Sequence, residues 1–456
     1  MKTIEQYLKE NENHILSQLF GLLRIPSISA ESEHKPDMVK AAEYWKETLL
    51  KAGVDFAEVC STQGNPIVYA EKIINPLAPT VLIYAHYDVM PVEPLELWQT
   101  PPFEPIIKDR KIFARGADDD KGQSFMHAVA IEYLIKHQLL KCNVKFMIEG
   151  EEEIGSPSMA QWCIDNKKRL AADVILVSDT GMIAPETPSI TVGLRGLTYL
   201  QIEVTGPNRD LHSGIFGGAV ANPLNVLCKM IASLQDENGH ITIPGYYDEV
   251  LEYTDEQRKL INQVPFDEES YKTSLGVKEL WGEKGYTTIE RTGIRPTMDL
   301  CGIWGGYTGE GSKTVLPSKA YAKLSSRLVP YQNHEKMAQL LRNYLLNIAP
   351  NYVRVNVEIL HGGQPYVTPL NLPALESARM ALKDVFGKEP IPTMSGGSIP
   401  IISTFEQILG IKSVLMGFGL ESDAIHSPNE NFRLENFYNG IKAIVRFYEY
   451  FDKIKK

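Results

Sequence analysis

Residues 81–88, Val81-Leu82-Ile83-Tyr84-Ala85-His86-Tyr87-Asp88, join a short apolar run to a histidine and an aspartate one residue apart. Such a run reads as a buried strand, and the polar pair stands where that strand would end. The texture then repeats. Residues 122–137 carry Phe125, Ala128, Val129, Ile131 and Leu134 at helical spacing, 143–148 and 174–177 are further strand-like apolar runs, and 159–169 reads as a helix between them. Upstream, Ile4, Leu8, Ile15, Leu19 and Leu22 form a helical stripe that Pro26 closes. Strands alternating with helices predict an α/β layered sheet.

Around Gly193 to Gly196 the pattern changes. Residues 198–204 alternate like a strand, 222–234 read as one helix, and 319–328 and 353–360 as two more strands, until His361-Gly362-Gly363 closes the block. Helix (373–386), strand (413–418) and helix (434–451) then resume the first pattern. The expectation is a catalytic α/β domain, 1–196 and 362–456, with an α+β domain, 197–361, inserted into it. A chain of 456 residues is long enough for two cores. Residues 244–286 are acidic and weakly patterned, as a mobile segment would be.

Composition narrows the function classes. A net charge of -11, spread along the chain, argues against a nucleic-acid partner. The N-terminal 20 residues mix Lys, Glu, Gln and Asn with apolar positions, unlike a signal peptide, and no apolar run approaches the roughly 20 residues of a membrane span. Five scattered cysteines, Cys60, Cys142, Cys163, Cys228 and Cys301, lack any CxxC spacing and read as reduced core thiols, which points to a cytoplasmic location.

The chemistry-bearing residues cluster four times: His86-x-Asp88, Asp118-Asp119-Asp120, Glu151-Glu152-Glu153 and Ser178-Asp179. Each follows a predicted strand, and the carboxyl ends of strands line the ligand crevice of an open α/β sheet. Singly, each has an ordinary reading as a hydrogen-bonded pair or a solvated acidic turn. Together they would repel unless cations held them, and mixed histidine and carboxylate ligation suits zinc, manganese or cobalt better than calcium.

Ala85-His86-Tyr87-Asp88, residues 115–122 (RGADDDKG), residues 149–156 (EGEEEIGS), Ser178-Asp179 and His426-Ser427-Pro428-Asn429-Glu430 resemble the M20 metallopeptidase family in order and spacing. The likeness runs from about Ile4 to Phe451. Gly193-Leu194-Arg195-Gly196, residues 210–214 (DLHSG) and 396–400 (GGSIP) are most similar to its cytosolic dipeptidase branch, which includes the carnosine dipeptidases. The resemblance implies a zinc-peptidase-like domain, a mixed sheet flanked by helices, and an inserted domain serving as lid or dimerisation domain.

It also implies roles. His86 and Asp179 would hold one metal ion, Glu153 and His426 a second, and Asp119 would bridge both; the ions would be zinc, with manganese or cobalt as alternatives. Asp88 would orient His86 from behind. Spacing leaves open which of the three glutamates does what; the match makes Glu152 the general base. His212 would stabilise the oxyanion, in many family members from a neighbouring subunit. Arg327, with Thr314 and the backbone of Gly396, Gly397 and Ser398, would take a substrate's terminal carboxylate, and His361 would stand at the hinge. Related dipeptidases often carry charged residues before Gly-Gly-Ser, whereas this chain has Met394 and Ser395, so side-chain preference there is open.

The expected activity is metal-dependent hydrolysis of dipeptides or very short peptides by a homodimer. An N-acyl amino-acid deacylase or desuccinylase would use the same metals. A non-catalytic binding protein on this fold would be signalled by loss of a ligand or of Glu152, and none is lost.

Overall fold

The computed structural model describes residues 2–396 and 399–454. The chain forms two compact units: one takes the sequence up to Val192 with Thr368–Thr393 and the part from Thr404 onward, the other Gly193–Val367 with Met394–Ser403. Local pairing explains why the second unit reaches a few residues beyond 197–361 on either side and also takes Met394–Ser403 out of the segment expected to belong to the first. Tyr366 and Val367 pair with Leu194 and Gly193, and Arg195 bonds Ser395 through its backbone and Gly396 through its side chain.

The first unit is built on a mixed sheet. The strand Thr80–His86 lies between Asn143–Glu149 and Val174–Val177, parallel to both. Covered on both faces, it can be apolar at every position instead of alternating, which is why 81–85 is a continuous run. Ser413–Leu415 adds in parallel beyond Val174–Val177, whereas Ile67–Lys72 and Phe56–Cys60 add antiparallel on the other side. Residues 67–70 are themselves a buried apolar run, but Phe56–Cys60, at most half-buried, has too little apolar patterning to be read in advance.

Helices flank this sheet. Ile4–Leu23 opens on a capping box between Thr3 and Gln6. Lys35–Ala52, not read from the sequence, starts with Pro36 and ends on Gly53 at φ 100°, the left-handed turn that glycine adopts without penalty. Lys121–Lys136 is buried almost all round, so its apolar stripe is diluted and it behaves as a core helix. The helix expected over 159–169 stops at Asp165. Leu434–Ile454 closes the chain. No helix is long and apolar enough to cross a membrane among the described residues.

The second unit is an antiparallel sheet in the order Thr297–Gly305, Lys319–Leu328, Gly196–Thr205, Arg354–Gly363. Leu200, Ile202 and Val204, alternate residues of one strand, form a core with Leu227 and Met230 of the helix Pro223–Ala232 and Leu341 and Leu345 of His334–Ile348. The segment 244–286 carries two short helices, Asp255–Ile261 and Glu268–Leu275. It is fastened to the rest by polar links: Arg258 forks onto Glu290, Arg295 onto Glu283, and the Tyr286 ring lies under both guanidinium groups at 4.7 and 4.3 Å. Tyr246 joins the apolar core, and most of the remaining order, held by charge pairs and stacking, leaves no apolar periodicity to read.

One expectation is corrected. All five cysteines are free, but only Cys142 and Cys163 are buried; Cys228 and Cys301 are exposed. They sit on the outward side of the helix Pro223–Ala232 and on the strand Thr297–Gly305 at the edge of its sheet.

Candidate metal centre

His86 ends the central strand and is fully buried. Its Nε2 lies 3.1 Å from Asp119 Oδ1 and 4.0 Å from Asp179 Oδ2, the latter just beyond Val174–Val177. Asp119 arrives differently from expectation. It does not follow a strand of the main sheet but stands before the helix Lys121–Lys136, for which Asp120 is the N-terminal cap, and the Asp119–Asp120 peptide is cis. Gly122 is required in that turn, since a Cβ there would lie 1.8 Å from the Ala117 carbonyl oxygen. His426 comes from the loop before Asn431–Arg433, with Nε2 3.0 Å from Asp119 Oδ2 and 3.1 Å from Glu153 Oε2. The result is two triads that share Asp119: His86, Asp119 and Asp179, and Asp119, Glu153 and His426, each with its ligand atoms within 4.8 Å of one another.

The three glutamates diverge. Glu151 turns to backbone, accepting from Asn65 N at 2.9 Å and Ser158 N at 3.1 Å. Glu153 meets His426. Glu152, between them, makes no side-chain hydrogen bond among the described residues, while its backbone N–H donates to Asp88 Oδ1 at 3.2 Å and that of Glu153 to Asp88 Oδ2 at 3.1 Å. Asp88 therefore holds the turn that carries both glutamates. Its link to His86 runs mainly through its carbonyl oxygen, 3.1 Å from Nδ1, with Oδ1 at 3.4 Å. Bonding at Nδ1 leaves Nε2 to face the carboxylates.

Charge is badly out of balance among these buried groups. Burial, with Asp120, Asp119 and Glu152 nearby, raises Asp179 well above the usual carboxylate range, against the pull of His86. Burial with the charges of Glu153, Asp119 and Asp88 pushes Glu152 up to about 7, again against His86. Asp119 goes the other way: although burial opposes it, bonds to His426 and His86 keep it ionised. Its bond and that of Glu153 raise His426 to about 10, and His86 is raised despite its burial. Asp118 Oδ1 and Asp120 Oδ1 are buried with no hydrogen-bond partner among the described residues. The centre thus calls for positive charge, and a mixed nitrogen and oxygen donor set around one shared carboxylate fits two divalent cations.

The remaining candidates lie in the second unit. His212 is exposed on a two-stranded ribbon, Leu211–His212 with Val315–Leu316, and Ser213 N donates to Thr314 O at 3.0 Å, so His212 and Thr314 stand side by side. His212 Nδ1 accepts from Gly214 N at 3.0 Å; the neutral ring therefore carries its proton on Nε2. Arg327 is half-buried on Lys319–Leu328, opposite Thr297 and Leu197. Arg195, from the motif at 193–196, donates from Nε to Gly396 O at 3.0 Å, and burial together with the charge of Arg327 lowers it to about 10. His361 stacks on Tyr199 with ring centres 5.0 Å apart. Gly397 and Ser398 fall outside the described residues.

Known proteins resemble this chain over nearly its whole length. The model of peptidase family M20/M25/M40 matches residues 82–450. The chain is 31% identical to a Cys-Gly metallodipeptidase of Candida albicans over 98% of its own length and 96% of the relative's. It is 32% identical to the human Beta-Ala-His dipeptidase over 98% and 92%. Among solved structures, an M20 family metallo-carboxypeptidase from Sulfolobus solfataricus superposes with a TM-score of 0.86 at 36% identity, covering 96% of this chain and 99% of that one.

Proposed function

The chain belongs to peptidase family M20/M25/M40, and from that premise we propose that it is a metallodipeptidase, hydrolysing the peptide bond of dipeptides or very short peptides. The observation that carries the reading is the pair of triads sharing Asp119 with Glu152 beside them and engaged in neither.

His86 with Asp179, and Glu153 with His426, would each hold one divalent cation and Asp119 both; zinc suits the donor set best, with manganese or cobalt as alternatives. When bound, such a pair acidifies a water and polarises the scissile carbonyl. The chain's own residues do the rest. Glu152, held by Asp88 through its backbone and poised near neutral pH, accepts a proton and returns it to the leaving amine. His212 presents Nε2–H to the carbonyl oxygen as its charge grows, a contact worth about 2.7 to 4 kcal/mol in comparable sites. Arg327, with Thr314 and the Gly396-Gly397-Ser398 backbone, grips the terminal carboxylate. His361, stacked on Tyr199, is a further candidate for substrate contact.

The relatives are named as dipeptidases and the solved neighbour as a metallo-carboxypeptidase, which favours a peptide over an N-acyl amino acid as the substrate. N-acyl amino-acid hydrolysis is the second reading, because its product end is identical. We further propose a homodimer through the second unit, with exposed His212 serving the partner, and a reducing, cytoplasmic setting for the five free thiols. The test is a panel of dipeptides, tripeptides and N-acyl amino acids assayed with zinc, manganese and cobalt. Dipeptides are expected to be turned over fastest; faster cleavage of N-acyl amino acids would replace this reading with the second.

A further inference from the structure

Glu430 lies four residues after His426, and its side chain is 1% exposed. Each of its carboxylate oxygens is used twice. Oε1 accepts from the backbone N–H of Asp118 at 3.0 Å and of Asp119 at 3.1 Å; Oε2 accepts from Gly116 N at 3.0 Å and Arg115 Nη1 at 2.8 Å. Its own carbonyl oxygen accepts from Ala114 N at 3.2 Å, and the next residue, Asn431, pairs with Phe113 in a short ladder. Arg115 balances the charge, so a dehydrated carboxylate is here fully satisfied by the very loop that presents Asp119.

The segment 426–430 therefore grips Asp119 twice. His426 meets its side chain at Oδ2, and Glu430 meets its backbone N–H. Asp119 has to offer its two oxygens to different histidines, and rotation of its backbone would turn one of them away. We infer that Glu430 is a positioning residue of the metal centre, fixing the 116–119 backbone before any cation arrives and so setting the affinity for the ions that Asp119 shares. The inference rests on the reading of Asp119 as the shared ligand. Loss of a partner that orients a metal ligand typically weakens metal binding ~10- to 100-fold.

The experiment uses the full chain stripped of metal. Zinc affinity is measured by competition with a chromophoric chelator for wild type and Glu430→Gln, which keeps the shape but sets an NH2 against N–H donors. Affinity weaker by ~10- to 100-fold is expected; equal affinity, even in a less stable protein, overturns the inference. Hydrogen exchange at the 116–119 amides of the unaltered, metal-free protein decides the matter independently, should Glu430→Gln not fold. Slow exchange is expected, and fast exchange that only zinc slows would show that the ion organises the loop. A wild type that takes up no zinc would overturn the metal-centre reading and this inference with it, whereas two-ion binding with unchanged Glu430→Gln affinity overturns the inference alone.

Discussion

Glu152 and Glu153 are adjacent in the chain and their backbone amides share one acceptor, the Asp88 carboxylate, yet only the Glu153 side chain meets a histidine, at 3.1 Å from His426 Nε2. Neighbours held by the same clamp are thereby given different surroundings, which separates a group suited to hold a cation from one suited to move a proton.

Glu152→Ala is therefore expected to keep both metal ions and lose turnover by about 10²- to 10⁴-fold, the usual weight of general acid–base catalysis. Glu153→Ala is expected to lose metal from the His426 side. Metal content and kcat measured on the same preparations check both. A Glu152→Ala protein with near wild-type kcat would remove its role as base.

Arg327 is proposed to hold a carboxylate in a forked, charge-assisted contact. Dipeptides with an amidated C-terminus should then be cleaved about 10- to 100-fold less efficiently, from the ~1.5–3 kcal/mol of a hydrogen bond to a charged group. Arg327→Lys should not restore the difference, because an ammonium lacks the planar fork. Equal kcat/KM for free and amidated substrates would count against the contact.

If His212 serves the partner's site, His212→Ala and Glu152→Ala subunits, each inactive alone, should recover activity when mixed and allowed to exchange. Each mixed dimer then carries one intact site, and random pairing of equal amounts makes about half of the dimers mixed, so about a quarter of the wild-type rate is expected. No recovery after demonstrated subunit exchange would assign His212 to its own chain.

The charge pairs that fasten 244–286 make a stability prediction. Burial alone would raise the Glu290 carboxyl, but the forked bonds from Arg258 and the Thr287 amide win and bring it from an ordinary 4.5 down to about 2. A folded-state value below the unfolded one stabilises fully above pH 4.5 and loses that contribution as pH falls toward 2. Glu290→Gln should thus be less stable than wild type at pH 7 by about 1 to 3 kcal/mol, and the gap should close near pH 2 in denaturant titrations. A gap of unchanged size at pH 2 would contradict this assignment.

What the residues disclosed in advance depends on the kind of interaction involved. Apolar runs such as 81–85 and 174–177 announce strands covered on both faces, and the alternation of 198–204 announces one covered on a single face. Lys35–Ala52 carries Met38, Ala41, Trp45 and Leu49 at helical spacing and is legible on the same grounds as the helix before it. In the centre, the motifs bring His86, Asp119, Glu153, Asp179 and His426 into view as residue types. The parting of Glu151 from Glu152 does not show, since it depends on where the Asn65 and Ser158 amides lie. Glu430 and Arg195 stand in quoted motifs, but their roles do not show for the same reason: the partners of Glu430 are mostly backbone N–H groups and Arg195 works on a carbonyl oxygen, groups that any sequence possesses.

The central claim, that catalysis needs two cations sharing Asp119, is tested most directly by titrating the metal-free protein with zinc while following dipeptide hydrolysis. The account predicts negligible activity without metal and a rate that reaches its plateau only at two equivalents per chain. Full activity at one equivalent, or undiminished activity in the stripped protein, would contradict it.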